Sequence, residues 1–265
     1  MKHNTKIYAQ VLEDEALQQF NEAMSLKCNI QGALMPDAHT GYTLPIGAVI
    51  KSKEHIFPAY VGYDIGCGMC AVKLDIFKED IDLEDLKQKI IQKIPLGFTK
   101  HKKVISTFDI SGTTKIAQDI YNSSGKYYLG TLGGGNHFIE LGVGDDKKVW
   151  IIIHSGSRGY GYKIAEYYME KAALYDKNIK DTDTKIEGHY SFHINSQDGK
   201  DYIKDMNSAL DFALLNRQTM IDTIKQILNN PKELIFINKN HNHAIIEDNY
   251  IIHRKGATSP YIKTA

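Results

Sequence analysis

The sequence predicts an α+β fold with mixed β-sheets and surrounding helices, and three observations predict it. Short β-branched runs, such as Trp150-Ile151-Ile152-Ile153, alternate with longer stretches whose apolar residues recur at helical spacing. Glycine- and asparagine-rich turns repeatedly follow or interrupt the short runs. No internal repeat, low-complexity tract or linker divides the 265 residues, so a single domain over 1–265 is the simplest organisation, with length enough for a substantial core.

The elements follow in order. Lys6 to Val11 reads as a short strand, and Glu13 to Ser25 as a helix with Ala16, Leu17, Phe20 and Met24 on one face. Gly32 to Gly41, rich in turn formers, reads as a loop, and Pro45 to Lys51 as a strand. Pro58 to Gly62 leads into a turn at Asp64-Ile65-Gly66-Cys67-Gly68, from which Met69 to Ile76 emerges as an alternating strand. Glu79 to Ile94 is amphipathic and helical, whereas Ile105 to Gly125 carries no clear pattern. Leu129 to Leu141 is strand-like around three glycines, and Val149 to Ile153 has the character of a buried strand. Tyr162 to Tyr175 turns helical, and a long helix from Lys200 to Leu228 is expected to be capped by Asp198. Leu234 to Ile237 and Tyr250 to His253 read as strands bracketing Asn240-His241-Asn242-His243.

Charge and cysteine usage narrow the function classes. Thirty-two basic residues balance 32 acidic ones, so a nucleic-acid partner must be held by a local patch and not by net charge. The three cysteines, Cys28, Cys67 and Cys70, form no disulfide framework and point to a reducing compartment. No apolar run approaches the roughly 18 residues of a membrane span, and Met1 to Thr5 lacks the apolar core of a signal peptide. A cytoplasmic protein with no membrane partner is expected.

Four punctuated sites carry ligand chemistry. Asp64 and Cys67, three residues apart around Gly66, present a carboxylate and a thiol from one turn, and a thiolate is able to bridge two metal ions. The plainer alternative is an aspartate capping a turn beside a buried cysteine. Cys70 is expected in the core and Cys28 to be inert. Asn136-His137 follows three glycines whose amides suit an anion, with Glu140 placed to accept hydrogen bonds. His154 ends an apolar run and leads into Ser155-Gly156-Ser157-Arg158, whose hydroxyls, amides and guanidinium suit phosphate. A serine-nucleophile elbow is set aside because G-x-S-x-G is absent. His241 and His243 share a face on a strand and diverge on a turn. His39 and His253 have the neighbours of supporting or surface residues, and His3, His55, His101, His189 and His193 read as solvent-exposed. The candidate ligands are therefore Asp64, Cys67, His137, His154 and His241. Cysteine and histidine by themselves suggest zinc, with a harder ion admitted by Asp64, and the surrounding residues suggest a phosphorylated substrate.

These motifs resemble one family closely, the RtcB-type RNA ligases. The matching stretches are Met35 to Tyr42 with Pro45-Ile46-Gly47, Val61 to Gly68, Gly130 to Glu140 and His154 to Gly159, followed by Asp205-Met206, Asn216-Arg217, His241-Asn242 and His253 to Thr258. They run in family order over nearly the whole chain. The resemblance implies a GTP- and manganese-dependent enzyme joining RNA 3′-phosphate or 2′,3′-cyclic-phosphate ends to 5′-hydroxyl ends. It implies one manganese on Asp64, Cys67 and His137 and a second on Cys67, His154 and His241, overriding the zinc reading. It implies guanylate contacts from Asn136, His137, Phe138, Ile139, Glu140, His241 and Asn242. Arg158, Asn216, Arg217 and Lys255 would hold RNA phosphates.

In the family a histidine in a later His-Gly-Ala-Gly-Arg motif carries the guanylate, and no histidine in these 265 residues matches it. The expectation is an RtcB-like fold with its C-terminal part missing, or a site completed by a second polypeptide. The competing functions are a noncatalytic protein that binds metal and RNA ends, and a two-metal phosphoesterase acting on cyclic phosphates.

Overall fold

β-branched and aromatic residues at alternate positions build three sheets in the computed structural model, which describes residues 4–178 and 188–259. The chain packs as two compact units that exchange segments. The first comprises Met1–Ile65, Tyr162–Asn207 and His241–Ala265, and the second Gly66–Gly161 and Ser208–Asn240.

In the first unit, Asn4–Ile7 (β1) pairs in parallel with Asn29–His39 (β2), which runs antiparallel to Ile46–Lys53 (β3). Asp14–Ser25 (α1) covers this sheet with Ala16, Phe20, Ala23 and Met24, and its core continues through Leu34, Ala48, Ile50, Phe57 and Tyr60. His55–Ile56 (β4) and Pro58–Val61 (α2) follow β3. In the second unit Gly68–Phe77 (β5) is central, and Leu83–Lys93 (α3) and Lys115–Ser123 (α4) follow it. Phe138–Val143 (β6) and Lys148–Ser155 (β7) come next. Arg158–Asn178 (α5) then crosses into the first unit, where Phe192–His193 (β8) pairs with β4. Gln197–Ile227 (α6) begins in the first unit and ends in the second, and Glu233–Asn240 (β9) completes a four-stranded sheet in the order β6-β7-β5-β9. His243–Glu247 (β10) and Tyr250–Lys255 (β11) return to the first unit's sheet, ordered β1-β2-β3-β11-β10. The second unit's core lies on the face of β5 that carries Cys70, Val72 and Leu74, where Met220, Ile221 and Ile224 of α6 pack.

The α+β class with mixed sheets and helices agrees with the sequence reading, and several elements shift. The loop expected over Gly32 to Gly41 is mostly strand. Pro36 sits where the β2–β3 register slips between Leu34 and His39, the kind of irregularity at which a strand tolerates a residue with no N–H. Asp198 lies inside the first turn of α6, and the cap is Ser196, whose Oγ accepts the Gly199 N–H at 3.0 Å. The unpatterned stretch contains α4, capped by Thr114 Oγ1 on Ala117 N–H. His3 and the end of the chain from Pro260 lie outside the described residues.

His189, expected at the surface, and His253, expected as a supporting or surface residue, are both buried. His253 Nε2 accepts the Phe57 N–H at 3.0 Å, and Ser52, Asn29 and Tyr60 extend a buried polar chain. It ends with Tyr60 Oη at 2.8 Å from His189 Nδ1. β11 is an inner strand, so His253 and Lys255 share the inward parity of Ile251 whatever their polarity.

Burial pushes His189 down to about 4 and His253 down to about 3, so both are neutral in the folded protein at neutral pH. The unfolded chain takes up these protons near the ordinary value of 6.5, so stability is full above that pH and falls as pH drops from 6.5 toward 4. Thermal denaturation at pH 7.5, 6 and 5 should show a falling Tm. His189→Asn, which keeps an acceptor for Tyr60 without a titrating ring, should shallow that fall.

Candidate metal centre

Cys67 enters β5 where three strands end together. Gly68 pairs with Ser155 of β7 and with Asn240 of β9, so the residues next to Cys67, Ser155 and Asn240 in the chain are gathered at one end of the sheet. Gly68 permits this approach, because a Cβ there would stand 2.1 Å from the Lys239 carbonyl oxygen. His154 lies inside β7, one residue earlier than a strand-end reading places it. Its Nε2 is 3.1 Å from Cys67 Sγ, and His137 Nε2 is 3.5 Å from the same sulfur.

Hydrogen bonding on the far side of each ring decides what the near side offers. His154 Nδ1 is 3.1 Å from the Asn136 carbonyl, which only accepts, so Nδ1 carries the proton and Nε2 turns a lone pair toward Cys67. His137 Nδ1 sits 3.0 Å from the Leu132 carbonyl and 3.2 Å from Arg158 Nη1. The carbonyl needs an N–H and the guanidinium needs a lone pair, so one is served at a time. Serving Leu132 turns the His137 Nε2 lone pair toward Cys67. Both carbonyls belong to the Leu132–Asn136 loop. Its glycines therefore position imidazoles here, beyond the anion-binding role their amides suggested. Gly133, at φ 93°, leaves room for the Arg158 guanidinium, whose Cζ would be 2.1 Å from a Cβ at that position.

Buried side chains on α6 fix the backbone beneath these ligands. Arg217 is fully buried. Its Nη1 donates to the Gly66 carbonyl at 2.8 Å and the Ser155 carbonyl at 2.7 Å, its Nη2 to Asn240 Oδ1 at 2.6 Å and its Nε to Asn238 Oδ1 at 2.7 Å. The residues it holds directly precede Cys67, follow His154 and precede His241. Asn216, also fully buried, receives the Thr131 N–H at 3.1 Å and donates to the Thr131 and Gly156 carbonyls, each at 3.1 Å. These two residues were expected at RNA phosphates. In the structure both side chains are fully buried and bond the protein's own carbonyls and amides.

Other expected site residues fall into place within their own units. Asn136, Phe138 and Glu140 are exposed, with the Phe138 ring 5.5 Å from that of His154. Ile139 points the opposite way and packs against the core cluster, so its side chain does not accompany them. Cys70 is in the core as expected, its thiol pushed up to about 12 by burial. Arg158 is half-buried. In the first unit, Asn242 donates to the Asp64 carbonyl at 3.2 Å and accepts the Gly256 N–H at 2.8 Å. His241 lies in the turn before β10 while His243 begins that strand, so the two are not a paired set. Lys255 is only 6% exposed, and desolvation pulls its amine down to about 8. In the sequence Arg217 stood only as a phosphate candidate by resemblance; its place beneath the ligand-bearing backbones depended on knowing which of them α6 faces.

A thiol between two imidazoles, each oriented by a backbone carbonyl, is a cysteine–histidine cluster whose donors could hold a metal ion on an α+β scaffold. The chain belongs to the RtcB family, whose family model, described as tRNA-splicing ligase RtcB, matches residues 18–118 and 109–264. It is 33% identical to the RNA-splicing ligase RtcB of Escherichia coli K12, over 86% of this chain and 64% of that protein. It is 29% identical to the tRNA-splicing ligase RtcB of Methanococcus maripaludis, over 86% of this chain and 61% of that protein. The chain thus spans under two thirds of the length of these relatives.

Breaking the Arg217 frame should be costly. Each buried carbonyl left without a donor loses about 1–3 kcal/mol, and a lysine ammonium cannot reach four acceptors that diverge around a planar guanidinium. Arg217→Lys should lower unfolding free energy by at least about 3 kcal/mol in urea titrations. A loss within the error of the titration would show that the frame does not depend on this residue.

Proposed function

We propose that this protein is an RNA ligase, joining RNA ends that bear a 3′-phosphate or 2′,3′-cyclic phosphate to 5′-hydroxyl ends with GTP. The observation that carries the reading is the pair of imidazole Nε2 atoms on Cys67, within a chain of the RtcB family. Asp64, three residues before Cys67, and His241, directly after Asn240, are the further ligands we assign. One manganese ion would be held by Asp64, Cys67 and His137 and the other by Cys67, His154 and His241. The donor set suits a divalent ion, and the carboxylate shifts it from the zinc preference of thiolate and imidazole toward a harder metal. Bound there, the ions supply neutralisation of phosphate charge.

The chain's own residues then divide the work. The Leu132 and Asn136 carbonyls keep the ligand tautomers, and Arg217 keeps the ligand-bearing backbones in place. Exposed Asn136, Phe138 and Glu140 contact the guanylate from the side on which β6 meets His154, and His241 and Asn242 contribute from the turn before β10. Arg158 and Lys255 hold RNA phosphates, Arg158 from its position against His137. The guanylate-carrying histidine is assigned to none of the 265 residues; a second polypeptide is a partner able to supply it. Among the described residues no helix is long and apolar enough to cross a membrane, and we place the protein in the cytoplasm, where its thiols stay reduced.

Metal stoichiometry tests the shared ligand. Cys67→Ala should abolish binding of both manganese ions in calorimetry, while His137→Ala and His154→Ala should each mainly weaken one. Unchanged stoichiometry in Cys67→Ala removes the bridging assignment. Arg158→Ala should weaken binding of a 3′-phosphorylated RNA and flatten its salt dependence while leaving manganese occupancy intact. Identical binding across salt would return Arg158 to a structural role.

A further inference from the structure

Three tyrosines of the first unit leave their rings in solvent around the residue that precedes Asp64. Tyr63 is 37% exposed, Tyr162 48% and Tyr42 84%. Tyr63 and Tyr162 stack with centroids 5.3 Å apart and ring planes 23° from parallel, and Tyr42 meets Tyr63 edge-on at 6.0 Å. Beneath Tyr63 opens a cavity of about 260 Å³, walled by Pro58, Met169, Ala172 and Tyr190, with Glu170 on its lining. Flat exposed rings beside apolar walls suit a flat partner.

Charge selects which flat partner. Glu166 and Glu170, one and two helical turns beyond Tyr162 on α5, act electrostatically on the Tyr63 hydroxyl. Carboxylates repel phosphate oxygens but accept hydrogen bonds from the amino groups of bases. The surface therefore suits the base side of a nucleotide, with the backbone turned away. We propose that the Tyr42–Tyr63–Tyr162 ladder and its adjoining cavity are a stacking platform for an unpaired base of the RNA end. The inference rests on the RNA-ligase reading, and it places the platform one residue from Asp64 in the sequence. Single-stranded RNA is commonly held this way, by bases splayed onto aromatic side chains.

The test is fluorescence anisotropy with a single-stranded RNA decamer bearing a 3′-phosphate, in manganese, at several salt concentrations. Tyr162→Ala and Tyr63→Ala should each weaken binding about tenfold, by the same factor at every salt concentration because no phosphate contact is lost. Tyr63→Trp should retain wild-type affinity, since stacking survives and the hydroxyl does not matter. An abasic site near the 3′ end should cost the wild type a similar factor and cost Tyr162→Ala little more. Tm and manganese stoichiometry of Tyr162→Ala should match wild type, which separates stacking from damage to the fold or the metal centre. Wild-type affinity in both alanine variants overturns the platform alone and points to a protein partner for the tyrosines. Failure of the wild type to bind the decamer at all overturns both the platform and the RNA-ligase reading.

Discussion

The buried guanidinium of Arg217 is the constraint on which the second unit's architecture depends. One planar group bonds the residue before Cys67, the residue after His154 and the asparagine before His241, so three distant stretches of chain share one fixed point. A hydrophobic side chain would fill the same volume but could not dictate where those backbones lie relative to each other. A planar fork of donors does so, because each N–H has one direction in which it is satisfied. Desolvating the guanidinium is costly, and the hydrogen bonds to inward-turned carbonyls and amides offset that cost only if every segment is in register. The arrangement ties correct folding of the ligand segments to satisfaction of a single buried cation.

The next layer is set by backbone carbonyls. Leu132 and Asn136 turn their oxygens toward Nδ1 of His137 and His154, and this is possible because the loop between them is three glycines, two of them at positive φ. Those carbonyls settle which ring nitrogen faces Cys67, and hence whether the site presents lone pairs or protons to an incoming cation. Arg158 competes for the His137 nitrogen. A ligand that draws the guanidinium away, such as a phosphate, therefore favours the same tautomer that metal ligation requires. Metal and phosphate binding at such a site would be coupled through one imidazole.

Much of this was legible in the sequence, for identifiable reasons. Period-2 alternation exposed β5, and the apolar run before His154 exposed β7, since both strands are inner members of their sheet. The candidate ligand residues stood out because glycine brackets them, and several of these glycines stand at close approaches or positive φ. The misreadings have physical causes too. Met35-Pro36-Asp37 looks like a loop because proline normally interrupts pairing, and a register slip in β2 absorbs it. Polarity left His253 open to a surface reading and made Lys255 a phosphate candidate, whereas an inner strand buries both by parity. Asn216 and Arg217 look like phosphate ligands because their chemistry suits phosphate; only tertiary geometry shows that the oxygens they serve are the protein's own.

Two cysteines three residues apart show how far position outweighs residue type. Cys70 lies within β5, pairs across to Ile153 and Asn238, and is surrounded by Val72, Leu74 and Ile151 in the core. With no charge compensation sufficient to offset burial, its thiol is held protonated up to about 12, which makes it a small hydrophobic side chain and nothing more. Cys67 precedes the same strand, beyond its last pairing, and its sulfur meets two imidazole nitrogens where Cys70 meets hydrocarbon. A thiolate needs a cation or a donor beside it to persist, and at the strand end two imidazoles stand beside the sulfur. The glycine at position 68 sets that boundary. By letting β9 close on β5 there, it fixes where pairing begins, and so which of the two cysteines is packing and which is chemistry.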